Sequence, residues 1–352
     1  MIAPSFGPQA LVQRRSETEP EVLSSAPGRG LAGLPCPIVW NRFMELPNVS
    51  ITVPVYNDGA SIGRCIESLR TQTYPEEKIE LLVIDDGSTD GIETWFPRRY
   101  PGVKYIRRER SGPDHSRNDA ITIASGEILG FIDSDCMADP NWIKEGLSVL
   151  LKEGTSIVTG PLVHGDRMLD KIMALHEFGE FLSLQSREAA NFVTCNLLIR
   201  REIFQTLKFP THVWMGGDRL FAWKLHQLGF RMRYHGPMRV FHLPDLRLRN
   251  LLERIKQYSF KTISMRIADP SLPGGRLLRL SYFSPLVLAG IRCLIDIRNL
   301  SHNIKSLRVS LLQFPFLFFS VPILRTIDLI FMESYLIQRR FNKKVCEQDD
   351  TF

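Results

Sequence analysis

The sequence predicts an α/β fold with a mixed, mostly parallel sheet flanked by helices, followed by a helical C-terminal region. Buried-type apolar runs alternate with helical stretches. Acid-rich polar loops follow several of these runs. The last hundred residues or so combine apolar segments with many basic side chains. We therefore expect a disordered tail over 1–47, an α/β domain over 48–250 and a basic helical region over 251–352.

The first elements are predicted from local patterns. Residues 1–47 are rich in Pro, Gly and Ser without a sustained period, which is typical of a disordered tail. The β-branched run Val49–Val55 predicts a buried strand, and Ala60–Thr73 predicts a helix with one apolar face. Ile79–Ile84 predicts the second buried strand.

The next elements continue the alternation. Lys104–Arg107 predicts a third strand, Asn118–Ala124 a helix and Glu127–Ile132 a fourth strand. Ligands in such sheets bind beyond the carboxyl ends of the strands. The loops "YNDG", "DDGSTDG" and "DSDC" all follow predicted strands, so we expect a binding site there.

Two aspartates, Asp133 and Asp135, follow the fourth strand and are separated by Ser134. Alternation along an extended chain points both carboxylates the same way. Oxygen ligands of this kind favour Mg²⁺ or Mn²⁺, usually shared with a phosphate. The alternative is a solvated turn, in which Asp is common.

Several segments together resemble the nucleotide-sugar half of a family 2 glycosyltransferase with the GT-A fold. They are "VSITVPVYNDGASIGRCIESLRTQTYP", "IELLVIDDGSTDG", "SGPDHSRNDAI" and "GEILGFIDSDC", within a match from Val49 to Asn250. The resemblance implies a metal-dependent, inverting hexosyltransferase. Its donor would be a UDP- or GDP-sugar, and its acceptor a glycan or lipid-linked hydroxyl in polysaccharide biosynthesis.

The resemblance also implies a set of nucleotide-sugar contacts. These are Pro54, Tyr56, Asn57, Asp86, Arg117, Asp133 and Ser134. A tyrosine ring can stack on a base, a carboxylate accepts a hydrogen bond from it, and a guanidinium can pair with phosphate. The implied metal ligands are Asp135 and Asp133, with His242 as a further candidate because imidazole can complete such a site.

The segment "GGDRLFAWKLHQLGFRM" resembles the family motif that carries the catalytic base. Asp218 matches that base, whereas Gly217 replaces the usual Glu and Leu220 replaces the second acid. The alternative role of Asp218 is to cap an amphipathic helix, and the two roles are compatible. The acceptor pocket implied by the resemblance includes Cys195, Asn196 and Gly217.

Charge and cysteine usage limit the partners and the compartment. The net charge is +6, and the stretch from Arg247 to Arg308 contains twelve basic residues and only three acidic ones. Such a region could face phosphate or an anionic membrane, and no nucleic-acid partner is expected. The six cysteines form no C-x-x-C pair, and the N-terminus has no apolar segment typical of a signal peptide.

Two apolar segments predict membrane association with the catalytic domain on the cytoplasmic side. Leu280–Ile291 is too short to span a bilayer, and Val309–Ile327 contains Gln, Arg and two Pro. Basic residues flank the second segment: Lys305, Arg308, Arg339, Arg340, Lys343 and Lys344. Basic flanks on both sides favour in-plane or re-entrant helices. The alternative is a soluble helical subdomain or dimer interface.

Two rival functions are considered. A sugar nucleotidyltransferase would need a basic, Gly-rich loop after the first strand, and "PVYNDGAS" has no basic residue. A non-catalytic scaffold with the same fold is favoured by the altered "GGDRLF". The clustered acids of "DDGSTD" and "DSD" count against it, because buried charges cost stability unless they are used or paired.

Overall fold

The computed structural model describes residues 45–152, 154–213, 216–244, 248–276 and 284–341. Most of the predicted tail over 1–47 lies outside the described residues. The same holds for Lys343 and Lys344 and for the first residues of the segment Leu280–Ile291.

Strands and helices alternate through the first half of the described chain. The strands are β1 Val49–Val55, β2 Ile79–Asp85, β3 Lys104–Arg107, β4 Ile128–Phe131, β5 Cys136–Ala138, β6 Ile157–Thr159, β7 Leu162–Val163, β8 Arg187–Ala189, β9 Leu197–Arg200, β10 Met232–Tyr234 and β11 Val240–His242. The helices are α1 Ile62–Arg70, α2 Ile92–Arg99, α3 Pro113–Ile123, α4 Trp142–Leu150, α5 Met168–Phe178, α6 Ile203–Thr206, α7 Gly217–Gln227, α8 Leu248–Ala268, α9 Ser284–His302 and α10 Gln313–Phe341.

The main sheet has eight strands in the order β3-β2-β1-β4-β9-β6-β10-β8. The first four pair in parallel, whereas β9 runs antiparallel to both β4 and β6. A second sheet has the order β5-β11-β7. The prediction of an α/β fold with a mixed, mostly parallel sheet is therefore confirmed, and the ends of β1, β2 and β4 lie side by side.

Local patterns located the strands better than the helices. Each of the four predicted strands matches an observed strand to within one residue at either end. Helix α2 was not predicted, because "IETWFPRR" contains Pro97 and has little apolar period. Helix α3 begins at Pro113, five residues before the predicted start, and proline at the first helical position is a common start signal.

The three C-terminal helices pack against one another and onto α5. One buried cluster joins α5 to α9 and α10 through Leu175, Leu300 and Leu317. Inside this packing, Arg325 of α10 donates to Asp296 of α9 at 2.7 Å and to the backbone carbonyl of His176 at 3.0 Å. The helical region is therefore attached to the α/β part by buried apolar and ionic contacts.

Helix α10 has two different faces. Among the described residues, it contains the one segment, Gln313–Arg339, that is long and apolar enough to cross a membrane. Arg325 and Asp328 point into the protein and are almost fully buried. Exposed apolar side chains recur on another face at intervals of three, four or seven: Phe316, Phe319, Ile323, Ile330 and Ile337. This spacing places them on one stripe along the helix.

Candidate active site

A cleft of about 550 Å³ lies beyond the carboxyl ends of β1, β2 and β4. We call it the acid-rich cleft. Its lining includes nearly all of the predicted site residues: Pro54, Tyr56, Asn57, Asp86, Arg117, Asp133, Ser134, Asp135, Cys195, Gly217 and Asp218. Strand polarity explains this convergence, because parallel strands end at the same edge of a sheet.

The turn after β1 forms one wall of the cleft. Asn57 adopts a positive φ of 51°, and its side-chain oxygen accepts from the backbone N–H of Thr89 at 2.7 Å. The Tyr56 ring is partly exposed, with the guanidinium of Arg110 lying 4.1 Å from its centroid. The turn is therefore fixed by the loop after β2, and Tyr56 presents an aromatic ring at the rim.

Asp86 holds the loop that leads into α3. Its two carboxylate oxygens accept from the backbone N–H groups of Ser111, at 3.0 Å, and Gly112, at 2.8 Å. A carboxylate oxygen can accept more than one hydrogen bond, so Asp86 retains acceptor capacity toward the cleft. The preceding Asp85 is fully buried and caps its own turn through the N–H of Ser88.

Arg117 connects two carboxylates at the base of the cleft. It donates to Asp114 at 2.8 Å and to Asp133 at 3.2 Å. Both Arg117 and Asp114 are buried. Burial raises the pKa of Asp114 to about 6, although Arg117 opposes that shift. The guanidinium therefore fixes the position of Asp133 from below.

The segment that carries both aspartates is a turn rather than a continuation of the strand. Strand β4 ends at Phe131, and Asp133 and Asp135 both line the cleft. The Ser134 hydroxyl donates to Asp58 of the first turn at 2.6 Å. This bond fixes the acidic turn against the end of β1.

Asp135, Cys136 and His242 form a group whose ligand atoms all lie within 4.8 Å of one another. His242 Nε2 lies 3.4 Å from Asp135 Oδ2, and its Nδ1 is buried without a hydrogen-bond partner among the described residues. Although burial opposes ionisation, His242 lowers the pKa of Asp135 to about 2. Burial raises the pKa of Cys136, so it stays a thiol.

These residues fit a divalent cation. An ionised carboxylate and a neighbouring imidazole suit Mn²⁺ or Mg²⁺, and Asp133 offers a second carboxylate in the same cleft. The protonated thiol of Cys136 does not suit a hard ion. The strand pairing between β5 and β11 places His242 opposite Cys136, which explains how residues so distant in sequence meet.

Asp218 lies at the start of α7, far from the acidic turn in sequence, yet it lines the same cleft. Its Oδ1 accepts from the backbone N–H of Arg219 at 2.8 Å and lies 3.4 Å from Lys261 Nζ. Burial opposes its ionisation, but Lys261 and Arg117 outweigh burial and lower the pKa of Asp218. It is therefore an ionised carboxylate at neutral pH.

The three predicted acceptor residues have different surroundings. Gly217 and Cys195 line the cleft. Asn196 is fully buried, and its amide accepts from Trp142 Nε1 at 2.8 Å and donates to the carbonyls of Pro161 and Met238. Those bonds join the turn before β9 to α4 and to the segments that precede β7 and β11, so the Asn196 side chain lies in the core.

Sequence reasoning missed three charged residues of the cleft. Asp58 and Asp114 had local signals, since each stands in a loop or helix start that was already singled out. Lys261 had none, because it belongs to α8 and reaches Asp218 only through the tertiary packing.

Comparison with known proteins agrees with this geometry. Residues 50–221 match glycosyl transferase family 2. The chain also resembles, at 19% identity and a TM-score of 0.56, a mannosyltransferase from Pyrobaculum calidifontis solved with GDP-mannose and Mn²⁺; 84% of this chain and 88% of that one are covered. That likeness concerns the fold, which is GT-A. The chain therefore has the GT-A fold, and its residues 50–221 are similar to glycosyl transferase family 2, in agreement with the resemblance that the sequence carries.

Two curated relatives show how far the similarity extends. The glycosyltransferase AglE of Haloferax volcanii is 31% identical over 198 residues, which are 54% of this chain and 64% of that protein. The poly(ribitol-phosphate) beta-glucosyltransferase of Bacillus spizizenii is 44% identical over 183 residues, which are 49% of this chain and 28% of that protein. The chain thus spans less than two thirds of the length of either relative.

Proposed function

We propose that the protein is a metal-dependent, inverting glycosyltransferase that moves a sugar from a nucleotide-diphosphate sugar to an acceptor hydroxyl. The observation that carries the proposal is the single cleft in which Asp133 and Asp135 lie with an ionised Asp218. The match of residues 50–221 to family 2 supports it, as does a similar fold solved with GDP-mannose and Mn²⁺.

The donor nucleotide binds along the ends of β1 and β2. Tyr56 stacks on the base, Asp86 accepts a hydrogen bond from it, and the backbone of Pro54 and Asn57 forms the wall. Arg117 and Ser134 hold the turn that faces the diphosphate.

Asp135 and His242, with Asp133 in the same cleft, would hold a divalent cation, Mn²⁺ or Mg²⁺. When bound, the cation would neutralise charge on the diphosphate leaving group. The chain's own contribution is to hold the carboxylates in place, through Arg117 below Asp133 and His242 beside Asp135.

Asp218 acts as the general base. Its ionised carboxylate removes the proton from the acceptor hydroxyl as that oxygen attacks the anomeric carbon from the face opposite the leaving group. Configuration inverts in a single step without a covalent intermediate. Lys261 and the N–H of Arg219 keep Asp218 ionised and oriented.

The acceptor is a glycan or a lipid-linked precursor, and the protein lies on the cytoplasmic face of a membrane. The stripe Phe316–Ile337 on α10 supplies an apolar surface, while the opposite face packs on the protein. This arrangement favours a helix that lies in the interface over one that crosses the bilayer.

The rival functions find less support. A scaffold would not need a cleft lined by several ionised carboxylates, whose clustering is costly. A nucleotidyltransferase would need basic side chains in the turn after β1, where Tyr56, Asn57 and Asp58 stand.

The decisive experiment is a donor screen. The purified protein is incubated with Mn²⁺ and a panel of UDP- and GDP-sugars, and release of the nucleoside diphosphate is measured. We expect slow hydrolysis of one donor, abolished in Asp218→Asn and Asp135→Ala. The proposal would be refuted if the protein neither binds nor hydrolyses any nucleotide sugar in the panel.

A further inference from the structure

A second cavity, of about 450 Å³, lies between α8, α9 and α5. We call it the arginine cavity, because Arg219, Arg266, Arg292 and Arg325 line it. None of these four guanidinium groups lines the acid-rich cleft. The question is which of the four guanidinium groups already have an anionic partner.

Three acidic side chains line the cavity, and each is already paired with an arginine. Asp296 accepts from Arg325 at 2.7 Å, Glu180 lies 2.8 Å from Arg219, and Glu177 lies 2.7 Å from Arg254. Every carboxylate in the lining therefore has an arginine partner, and Arg325 is also paired with the buried Asp328. Two lining arginines, Arg266 and Arg292, are left over.

Arg266 and Arg292 are held by neutral groups. Arg266 donates to the carbonyls of Thr262, at 2.6 Å, and Pro273, at 2.9 Å. Arg292 donates to the Thr262 hydroxyl at 2.6 Å and lies over the ring of Tyr258. Within the described residues, neither has a carboxylate within 4 Å. Their common anchor, Thr262, keeps the two guanidinium groups close together.

This arrangement is electrostatically unfavourable in the free protein. Burial, followed by the charges of Arg219 and Arg292, lowers the pKa of Arg266 to about 9. Burial and the charge of Arg325 lower the pKa of Arg292 in the same way. Asp328 and Asp296 offset part of the effect on Arg292, but in the part of the chain that the structure describes neither Arg266 nor Arg292 has a carboxylate within 4 Å. Two partly buried guanidinium groups on one cavity attract an anion more strongly than isolated surface charges do.

The arginine cavity is connected to the proposed base. Between it and the acid-rich cleft lies a chamber of about 280 Å³. Asp218 and Lys261 line both the cleft and the chamber, whereas Tyr258, Thr262 and Arg219 line both the chamber and the arginine cavity. A molecule whose hydroxyl reaches Asp218 can therefore extend to Arg266 and Arg292.

We propose that Arg266 and Arg292 bind a phosphate ester group of the acceptor. The inference rests on the proposed function, because it assigns the acceptor's anionic group to a site reached from Asp218. A phosphate ester fits better than a carboxylate, since it offers up to two negative charges and several acceptor oxygens to two guanidinium groups.

Two sources carry this chemistry: a lipid phosphate and a water-soluble phosphate ester. Helix α9 bears Arg292 on the cavity side and exposed Leu286, Val287 and Leu294 elsewhere on its surface. Ile291 of the same helix is exposed and also lines the cavity, so an alkyl chain attached to the phosphate would meet an apolar side chain there. The length of the alkyl chain therefore distinguishes the two sources.

The test uses the full chain in chelator, without nucleotide, and measures binding of inorganic phosphate, butyl phosphate and octyl phosphate by calorimetry. The variant is Arg266→Gln/Arg292→Gln. The matched control is Arg298→Gln, which removes an exposed charge from the same helix. We expect the double variant to bind all three probes at least about tenfold more weakly, and the control to match the parent.

A thermal unfolding measurement separates binding from a structural role. Removing two partly buried guanidinium groups that have no carboxylate of the described chain within 4 Å should leave the Tm of the unliganded protein unchanged or higher, whereas the loss of structural arginines would lower it. If the double variant fails to fold, Arg266→Gln and Arg292→Gln are measured singly against the same control.

The outcomes are distinct. Affinity that rises from butyl to octyl phosphate assigns a lipid phosphate, and equal affinity assigns a soluble ester. Unchanged phosphate binding in the variants, or none in the parent, overturns the proposal. Binding of UDP and GDP with Mn²⁺ is measured in parallel. If the parent protein binds neither nucleotide, the proposed function is refuted, while the phosphate result still stands.

Discussion

The carboxylate of Asp114 occupies the space in which a side chain at Gly217 would begin. A Cβ built on Gly217 would overlap Asp114 Oδ2, and it would also lie 3.2 Å from the carbonyl oxygen of Pro210. The glycine that departs from the family motif is therefore matched by a buried acid on α3. Asp114 in turn holds Arg117, which contacts Asp133.

This contact predicts the effect of Gly217→Ala. Because the added methyl group meets a carboxylate fixed by Arg117, the variant should lose about 1–3 kcal/mol of unfolding free energy and most of its activity. Chemical denaturation and donor turnover measure both effects. In Gly217→Ala/Asp114→Ala part of the lost stability should return. Gly102→Ala is the control, since its Cβ would meet nothing within 4 Å.

The raised pKa of Asp114, about 6, predicts a pH-dependent stability. An aspartate in the unfolded chain titrates near 3.9, so between these values the folded protein keeps a proton that the unfolded chain loses. Stability from this group is therefore present at low pH and lost as pH rises through 6.

Asp114→Asn should abolish that loss. The difference in unfolding free energy between Asp114→Asn and the parent should rise by roughly 2–3 kcal/mol in favour of the variant between pH 4 and pH 7. Urea titrations in chelator at several pH values measure the difference. Thr122→Ala, at an exposed side chain of the same helix that carries no titratable group, is the control. A pH-independent difference for Asp114→Asn would contradict the assignment.

The acidic turn predicts a metal requirement. Activity should need Mn²⁺ or Mg²⁺, and Asp135→Ala should abolish turnover while the protein remains folded, because it removes the carboxylate beside His242. Turnover is measured with excess chelator and after metal is returned. Asp166→Ala, at an exposed carboxylate, is the matched control. Full turnover in chelator would sink this prediction.

The surroundings of Asp218 predict a separation of binding from transfer. Asp218→Asn should bind the donor like the parent and lose at least about 10²-fold in kcat, because an amide does not accept the acceptor's proton. Nucleotide binding by calorimetry and sugar transfer by product analysis measure the two properties. A near-normal kcat would assign the base to another group.

The stripe on α10 predicts membrane binding that can be removed without unfolding the protein. Phe316→Ser/Phe319→Ser/Ile323→Ser changes only exposed side chains, so it should reduce flotation with anionic vesicles while Tm stays constant. High salt should release part of the parent, because Lys305 and Arg308 flank the helix.

The control for this experiment replaces exposed apolar residues elsewhere. Ile123→Ser/Leu184→Ser/Leu228→Ser should float like the parent. If the stripe variant floats normally but changes its oligomeric state in sedimentation, the surface is a dimer interface instead. Truncation is a poor test, since Arg325 and Asp328 make buried contacts with the rest of the protein.

What the sequence by itself determined are the features that follow from neighbouring residues. Apolar runs located β1 to β4, and the acids after them identified the edge of the sheet that holds the cleft. Such patterns are readable because a strand's burial and its terminal loop are both local properties.

The tertiary structure alone decided the partners of those residues. Lys261 reaches Asp218 from a helix 43 residues later, and the space at Gly217 is filled by Asp114. Asn196 turned inward because three core groups satisfy its amide. No pattern in the sequence predicts these contacts, because each depends on how separate elements pack. Packing is a property of the whole fold rather than of any single segment.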